Sequence, residues 1–366
     1  MSFGAIDRPL IVVVGGGGVG KTTLAAALGL VSASEGGDTL VMTFDPSARL
    51  KDALGVGEAA RDREVAVQSG TRGRLDASLL DARATFDRLV QRYAPDDASC
   101  RRILDNHFYQ QLAGNLAGIL EYMAVERLFE VAALQRYDRV ILDTPPTRQA
   151  LDFLQAPERM IGFLESGALK LALRRWFDDH GRLRATSRLR ALGRGIEGLL
   201  DRVVGLQLLR EMAEFFQIWA PLYEGFKARA REVQALLRAR GTLFVLVAGP
   251  GEERIADALF FARRLREAGH RLGPIVVNRV HPRIAGGADA AGGMRLLAWL
   301  GERDHRGVHA LRDLLAPDDL LVDLPLLERE PTSLEALEAL GRAFLGRLDA
   351  AAARAPRGMP RRGRKP

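Results

Sequence analysis

GGGGVGKTT, the stretch from residue 15 to residue 23, gives the strongest indication of the fold. It satisfies the pattern Gly-x4-Gly-Lys-[Ser/Thr] and stands between a short apolar run, LIVVV at 10–14, and a helical pattern over 21–34. A strand before and a helix after are the context in which this pattern forms a phosphate-binding loop. Its backbone N–H groups point at phosphate oxygens, and glycine is needed because side chains would block that approach. We therefore predict a P-loop for a nucleoside triphosphate, ATP, made by Gly15, Gly16, Gly17, Gly18, Val19, Gly20, Lys21, Thr22 and Thr23.

The chemistry of phosphoryl transfer predicts roles for single residues around this loop. Lys21 is expected to reach the β- and γ-phosphates, and the Thr22 hydroxyl to ligate Mg²⁺. Asp143 ends the apolar run RVILD and is expected beside Mg²⁺ and its waters, with a helix N-cap as the alternative. Asp45 ends the run TLVMTF and is expected to orient the attacking water, with a plain Asp-Pro turn as the alternative. The predicted catalytic residues are Lys21, Asp45 and Asp143, and the predicted metal site is Thr22 with Asp143 acting through water.

Further apolar runs alternate with helical patterns along the chain. Such alternation predicts an α/β fold, a mostly parallel sheet flanked by helices. The predicted strands lie at 10–14, 39–44, 139–143, 242–248, 274–280 and 320–324, with 64–68 as a weaker candidate.

Two long stretches interrupt the alternation. They carry helical spacing of apolar residues without a convincing strand, so we predict an α-helical insertion subdomain. In this prediction residues 1–348 form one nucleotide-binding domain. Its core lies at about 8–75, 137–155 and 240–348, and its helical insertions lie at about 76–136 and 156–239. A disordered basic tail follows at 352–366.

Charge and cysteine content limit the function classes. The formal net charge is +7, and six basic residues lie within 350–366, so the remaining chain carries only +1. We therefore do not expect the body to bind nucleic acid, while the tail leaves peripheral membrane contact open. A single cysteine, Cys100, suits a reducing compartment. We expect no signal peptide and no membrane span, and hence a cytoplasmic protein.

Ordered blocks along residues 8–348 resemble the ArsA-type anion-transporting ATPases. This family is related to the ATPases that deliver tail-anchored proteins, and to MinD and ParA within the deviant-Walker P-loop group. The blocks that carry the resemblance are GGGGVGKTT at 15–23, FDPSARLKDALG at 44–55, the segment Gly118–Glu121, DTPPTRQALDFL at 143–154, VVNRV at 276–280 and PLLEREPTSLEALEALG at 325–341.

The resemblance implies further roles and partners. Asp45 would position the hydrolytic water and Asp143 would be the Walker B acid. Asn278 would recognise adenine, and the block near Leu326 would border the base. Since family members close as dimers over two nucleotides and this chain has one P-loop, a homodimer is implied.

Several departures from the family pattern change what is expected. The family's signature lysine is Gly16 here, so hydrolysis is slow, or Arg49 or Arg148 substitutes for the lysine. The arsenite-binding cysteine triad is missing, so metalloid binding is not expected. The zinc-binding Cys-x-x-Cys is also missing after VVNRV, so we expect no zinc and interpret His281 as a loop residue. The switch histidines are Ala48 and Gln149 here.

The predicted insertion leaves its function open. Its large apolar side chains between Met160 and Phe226 either fill its own core or a dimer contact, or form a groove for a hydrophobic client protein. The Arg-rich stretch 174–194 is either a solvated loop or contacts an acidic partner or anionic lipid. Three functions therefore remain: an ATPase that moves a helical subdomain, a non-catalytic or very slow nucleotide switch that regulates a partner protein, and a MinD/ParA-like positioning ATPase.

Overall fold

The computed structural model describes residues 3–44, 49–107, 109–110, 119–145, 147–165, 223–284 and 292–354. Eight strands form one sheet. They are β1 Leu10–Gly15, β2 Thr39–Thr43, β3 Val65–Ala66, β4 Leu75–Leu79, β5 Arg139–Asp143, β6 Thr242–Ala248, β7 Leu272–Val280 and β8 Leu321–Pro325.

The order of the strands in the sheet is β3-β4-β2-β5-β1-β6-β7-β8. Every neighbouring pair is parallel except β3–β4, which is antiparallel at the edge. The predicted α/β class with a mostly parallel sheet is therefore confirmed. Strand β4 was missed, because residue 76 had been placed at the start of a helical insertion.

The α-helices of the described residues follow the strands in chain order. They are α1 Lys21–Ser34, α2 Arg49–Leu54, α3 Ala82–Tyr93, α4 Asp97–Asp105, α5 Ile119–Ala133, α6 Thr147–Glu165, α7 Tyr223–Arg238, α8 Glu252–Glu267, α9 Gly293–Leu314 and α10 Leu334–Arg354. Since α10 continues through Arg354, residues 352–354 are helical and the prediction of disorder from 352 was wrong for them. Residues 355–366 lie outside the described part of the chain.

Helix α1 is buried on nearly its whole circumference. All residues from Leu24 to Ala33 are buried, because α1 contacts the sheet as well as α10. A helix that is apolar all round is typical of such a position between two layers. The P-loop that precedes α1 is thus fixed to the most buried helix of the sheet-containing unit.

The chain divides into two compact units. The first unit comprises residues 1–80, 130–151 and 236–366 and contains the sheet. The second comprises 81–129 and 152–235 and, in its described part, is helical, with a core that includes Phe86, Leu89, Tyr109, Tyr122 and Phe226.

Two of the apolar residues considered for the client groove lie in this helical core. Met160 is 8% exposed and Phe226 is 1% exposed, so both fill the unit's own interior. The other apolar residues proposed for a client groove, and the Arg-rich stretch, fall within 163–223, where the structure describes no side chains. Among the described helices none combines the length and the apolarity needed to cross a bilayer.

Candidate nucleotide-binding site

The backbone has positive φ at three glycines between the end of β1 and the start of α1, Gly15, Gly18 and Gly20, and at Gly15 and Gly20 a side chain would also clash. Gly15 has φ +151°, and a Cβ there would lie 2.0 Å from the Val247 carbonyl oxygen of the neighbouring strand. Gly20 has φ +94° and precedes α1, and a Cβ there would lie 2.4 Å from Nδ2 of Asn278. The loop therefore passes close to β6 and β7 with no room for side chains at these positions.

Lys21 is the first residue of α1 and is 7% exposed. Its Nζ donates a hydrogen bond of 2.7 Å to the carbonyl oxygen of Gly16, so the ammonium group folds back over the loop. At the N-terminus of α1, the N-cap Gly20 makes no side-chain capping hydrogen bond. A helix N-terminus of this kind presents N–H groups and positive dipole to an anion.

Asp143 is fully buried at the carboxyl end of β5. It reaches the loop because β5 pairs with β1, with Val13 opposite Asp143. Its Oδ2 accepts 2.6 Å from the Thr22 hydroxyl and 3.0 Å from the Thr43 hydroxyl. The structure thus brings Thr22 and Asp143 together, as the sequence predicts for a metal site.

Thr43 was missed by the sequence analysis. It ends β2, and the pairing of β2 with β5 places it opposite Asp143. A hydroxyl residue at the end of the strand TLVMT was the available signal, but only the strand order shows which acid it meets.

Asn278 lies beside the P-loop on the other side of β1. Its Nδ2 donates 2.8 Å to the Val19 carbonyl, and its Oδ1 accepts 3.0 Å from the Arg279 backbone N–H. Leu326 follows β8, is 43% exposed, and its backbone N–H donates 2.8 Å to the Val280 carbonyl. The two residues predicted to bind the base therefore lie on β7 and just after the neighbouring strand β8, and their contact with adenine stays a prediction.

Some predicted residues cannot be located. Asp45 and Ala48 lie in 45–48, outside the described residues. Arg49 begins α2, and Arg148 and Gln149 lie in the first turn of α6, but the structure does not describe these three side chains. Gly118 also lies outside the described part.

His281 follows β7 and is held by a buried carboxylate. Its Nδ1 lies 2.6 Å from Oδ2 of Asp304, whose Oδ1 accepts from Arg303 at 2.9 Å. Burial alone would raise the pKa of Asp304, but the hydrogen bonds from His281 and Arg303 hold it below its ordinary value. His281 therefore anchors the segment after β7 to α9.

Cys100 lies in α4 and is half-buried against the helical core. Burial raises the pKa of its thiol, which disfavours the thiolate form that binds soft metals.

The chain is similar in sequence to several known proteins. A family model described as "Anion-transporting ATPase" matches residues 9–346. The "Uncharacterized protein SCO2128" of Streptomyces coelicolor is 28% identical over 321 residues, covering 85% of this chain and 74% of that protein. "ATPase ARSA2" of Chlamydomonas reinhardtii is 26% identical over 334 residues, covering 90% and 82%, respectively. "ATPase get3" of Aspergillus terreus is 32% identical over 150 residues, covering 40% and 42%. Because the family model spans nearly the whole chain, the chain belongs to the anion-transporting ATPase family.

Proposed function

We propose that this chain binds ATP together with Mg²⁺ and hydrolyses it. The observation that carries the proposal is the 2.6 Å hydrogen bond between the Thr22 hydroxyl and buried Asp143, directly below the P-loop. A hydroxyl at the start of α1 and a carboxylate at the end of the adjacent strand are the two groups that P-loop enzymes use around the metal.

The P-loop and Lys21 supply the phosphate site. The backbone N–H groups of 15–20 and the start of α1 bind phosphate oxygens, and Lys21 exchanges the Gly16 carbonyl for the β- and γ-phosphates. An ammonium group that is already buried and aimed over the loop needs little reorganisation to do this.

The residues present suit a hard divalent cation. A threonine hydroxyl and an aspartate carboxylate are oxygen donors of the kind that Mg²⁺ prefers. Thr22 would hold the ion directly and Asp143 through water, and Thr43 fixes the Asp143 carboxylate for that task. When bound, Mg²⁺ neutralises charge that develops on the β- and γ-phosphates.

Asp45 is proposed to orient the attacking water, and Asn278 with the segment near Leu326 to bind the base. Their support is position in the sequence: Asp45 follows β2, next to β5, and Asn278 and Leu326 lie on β7 and just after β8. Adenine would then lie on the β7 side of the P-loop and the hydrolytic water on the β2 side.

ATP turnover by the purified chain tests the assignment. We expect Lys21→Ala to weaken ATP binding and abolish turnover, and Asp45→Asn to abolish turnover while ATP still binds. Lys51→Ala is a matched control, because Lys51 lies in the same unit and pairs with the exposed Glu58. Unchanged turnover in both Lys21→Ala and Asp45→Asn would show that the assignment is wrong.

A second candidate function is a nucleotide switch with negligible turnover. It is favoured by Gly16, because the family's signature lysine supplies positive charge that a glycine cannot. In other P-loop enzymes a comparable cation contributes about 10³–10⁵ in rate. Tight ATP binding without turnover, even with a partner protein present, would select this function over the first.

We further propose a cytoplasmic homodimer whose nucleotide state moves the helical unit, with a hydrophobic client or regulatory protein as partner. Zinc and metalloids are not part of this proposal. Sedimentation of the chain with and without ATP tests the dimer, and capture of partners by the Asp45→Asn variant tests the client. A monomer under both nucleotide conditions would exclude the dimer switch.

A further inference from the structure

Strand β7 contains an irregularity next to the P-loop. In its pairing with β8, Val277 lies opposite Asp323 and Val280 opposite Pro325, so two residues of β7 face one residue of β8. The two residues are Asn278 and Arg279, and Arg279 has the left-handed φ of +64°. Such a backbone is rare for arginine, and a bulge of this kind redirects side chains.

The bulge directs the side chains of Asn278 and Arg279 toward the P-loop. In a regular strand Asn278 and Arg279 would point to opposite faces of the sheet. Here Asn278 Nδ2 donates 2.8 Å to the Val19 carbonyl, and Arg279 Nη1 donates 3.3 Å to the Gly18 carbonyl. Two neighbouring peptide groups of the P-loop are therefore held by two neighbouring residues of β7.

These contacts fix the direction of P-loop N–H groups. A trans peptide group is planar, so its C=O and N–H point in opposite directions. With the Gly18 and Val19 carbonyls turned toward β7, the N–H groups of Val19 and Gly20 turn away from it. Convergent backbone N–H groups of this kind are what bind a phosphate.

Arg279 also reaches the segment after β8. Its Nη2 lies 3.8 Å from Oε1 of Glu330, and the two side chains are 49% and 84% exposed, respectively. An ion pair this exposed contributes little, so Glu330 competes weakly with the Gly18 carbonyl for the guanidinium.

We propose that Arg279 is a positioning residue for the polyphosphate of a nucleoside triphosphate, acting by holding the Gly18–Val19 peptide group of the P-loop. The inference rests on the proposed nucleotide site. Arg279 then acts from strand β7 on the P-loop of its own chain. The sequence of the P-loop gives no indication of this residue.

The test compares ATP and AMP affinities of the full chain by titration calorimetry. Asn accepts a left-handed backbone but is too short to reach Gly18, so Arg279→Asn removes the contact and keeps the bulge. We expect ATP affinity to fall about tenfold, the effect of one charge-assisted hydrogen bond, while AMP affinity stays within about twofold and the melting temperature is unchanged. Arg279→Lys, which can still donate to the carbonyl, should recover part of the ATP affinity.

Arg283→Asn is the matched control. Arg283 lies just beyond β7, is half-exposed, and pairs with the exposed Glu302. Three results would overturn the inference. They are an ATP affinity of Arg279→Asn equal to that of the wild type, an equal loss of ATP affinity and AMP affinity in Arg279→Asn, and the same loss of ATP affinity in Arg283→Asn. If the wild type binds ATP and Lys21→Ala weakens it while Arg279→Asn does not, the nucleotide site stands and only the role of Arg279 is wrong. If the wild type and Lys21→Ala both fail to bind ATP, the nucleotide site itself is wrong.

Discussion

At Gly20 two separate requirements for glycine coincide. Its φ of +94° suits no ordinary side chain, and its missing Cβ leaves the space that the Asn278 amide occupies. A substitution that violates either requirement alone destabilises the protein. The second requirement links the P-loop directly to β7.

Gly20→Ala should therefore lower stability more than a substitution that violates only the backbone requirement. Gly36→Ala is the control, because Gly36 has φ +101° and open space around a Cβ. We expect Gly36→Ala to lower the free energy of unfolding by about 1 kcal/mol, and Gly20→Ala by about 2–4 kcal/mol with loss of ATP binding. Urea unfolding and ATP titration measure both, and equal losses of stability would contradict the role of the Asn278 contact.

Much of the site was predictable at the level of single residues. The P-loop motif identified Lys21 and Thr22, and Asp143 was predicted to be near them because the carboxyl ends of parallel strands meet at one edge. Thr43 could not be matched to Asp143 without the strand order. Arg279 was not predictable, because regular alternation places it on the opposite face from Asn278, and the bulge reverses that.

Helices α1 and α10 pack closely through a glycine of α10. A Cβ on Gly341 would lie 2.6 Å from the Ala27 carbonyl oxygen and 2.7 Å from Cγ2 of Val31. Five residues further along α10, Gly346 is exposed and a Cβ there meets nothing within 4 Å. The two positions differ in packing, while both are helical glycines.

Alanine at these two glycines should change stability in opposite directions. Gly341→Ala overpacks the contact and should destabilise the chain by about 1–3 kcal/mol. Gly346→Ala removes only the backbone freedom of glycine and should stabilise it by about 0.5–1 kcal/mol. Thermal unfolding of the two variants measures the difference, and a stabilising Gly341→Ala would mean that α1 and α10 are not in this contact.

Helix α5 carries a fully buried tyrosine that predicts alkaline sensitivity. Burial raises the pKa of Tyr122 well above its ordinary value of 10.0. The unfolded chain then releases the phenol proton at about pH 10 while the folded chain keeps it, so stability is full below pH 10 and falls above it. Tyr122→Phe should lose less stability between about pH 8 and pH 11 than the wild type. Circular dichroism during urea unfolding at both pH values tests this, and an identical loss would contradict it.

At the scale of elements, the sequence predicted the long buried strands well, because continuous apolar runs such as those of β1 and β6 have few other interpretations. Strand β4 was harder to predict. Its sequence, LDASL, contains Asp76 and Ser78, both of which are buried in the structure. Asp76 can be buried because it forms an ion pair with Arg74 and accepts a hydrogen bond from the Tyr137 hydroxyl. A pattern of hydrophobic residues gives no information about such partners.

For the whole molecule, the distribution of charge allows a test of the MinD/ParA-like alternative. Residues 355–366 carry five basic residues and no acid, so their removal lowers the formal net charge from +7 to +2. We expect the truncated chain to keep its ATP affinity and to lose any low-salt binding to DNA or anionic lipid vesicles, because such binding depends on clustered positive charge. If the truncated chain still binds DNA or vesicles with the same salt dependence, the tail is not the source of this binding.

The position of β1 in the centre of the sheet has a consequence for biosynthesis. Leu10 pairs with Val140 on one side and with Thr242 on the other, so β1 is synthesised long before either of its partner strands. Until β6 has been synthesised, one edge of an apolar strand stays open to other chains. Parallel pairing between such distant segments is slow. We therefore expect nascent chains of this protein to depend on chaperones during translation more than a protein of the same length built from local hairpins.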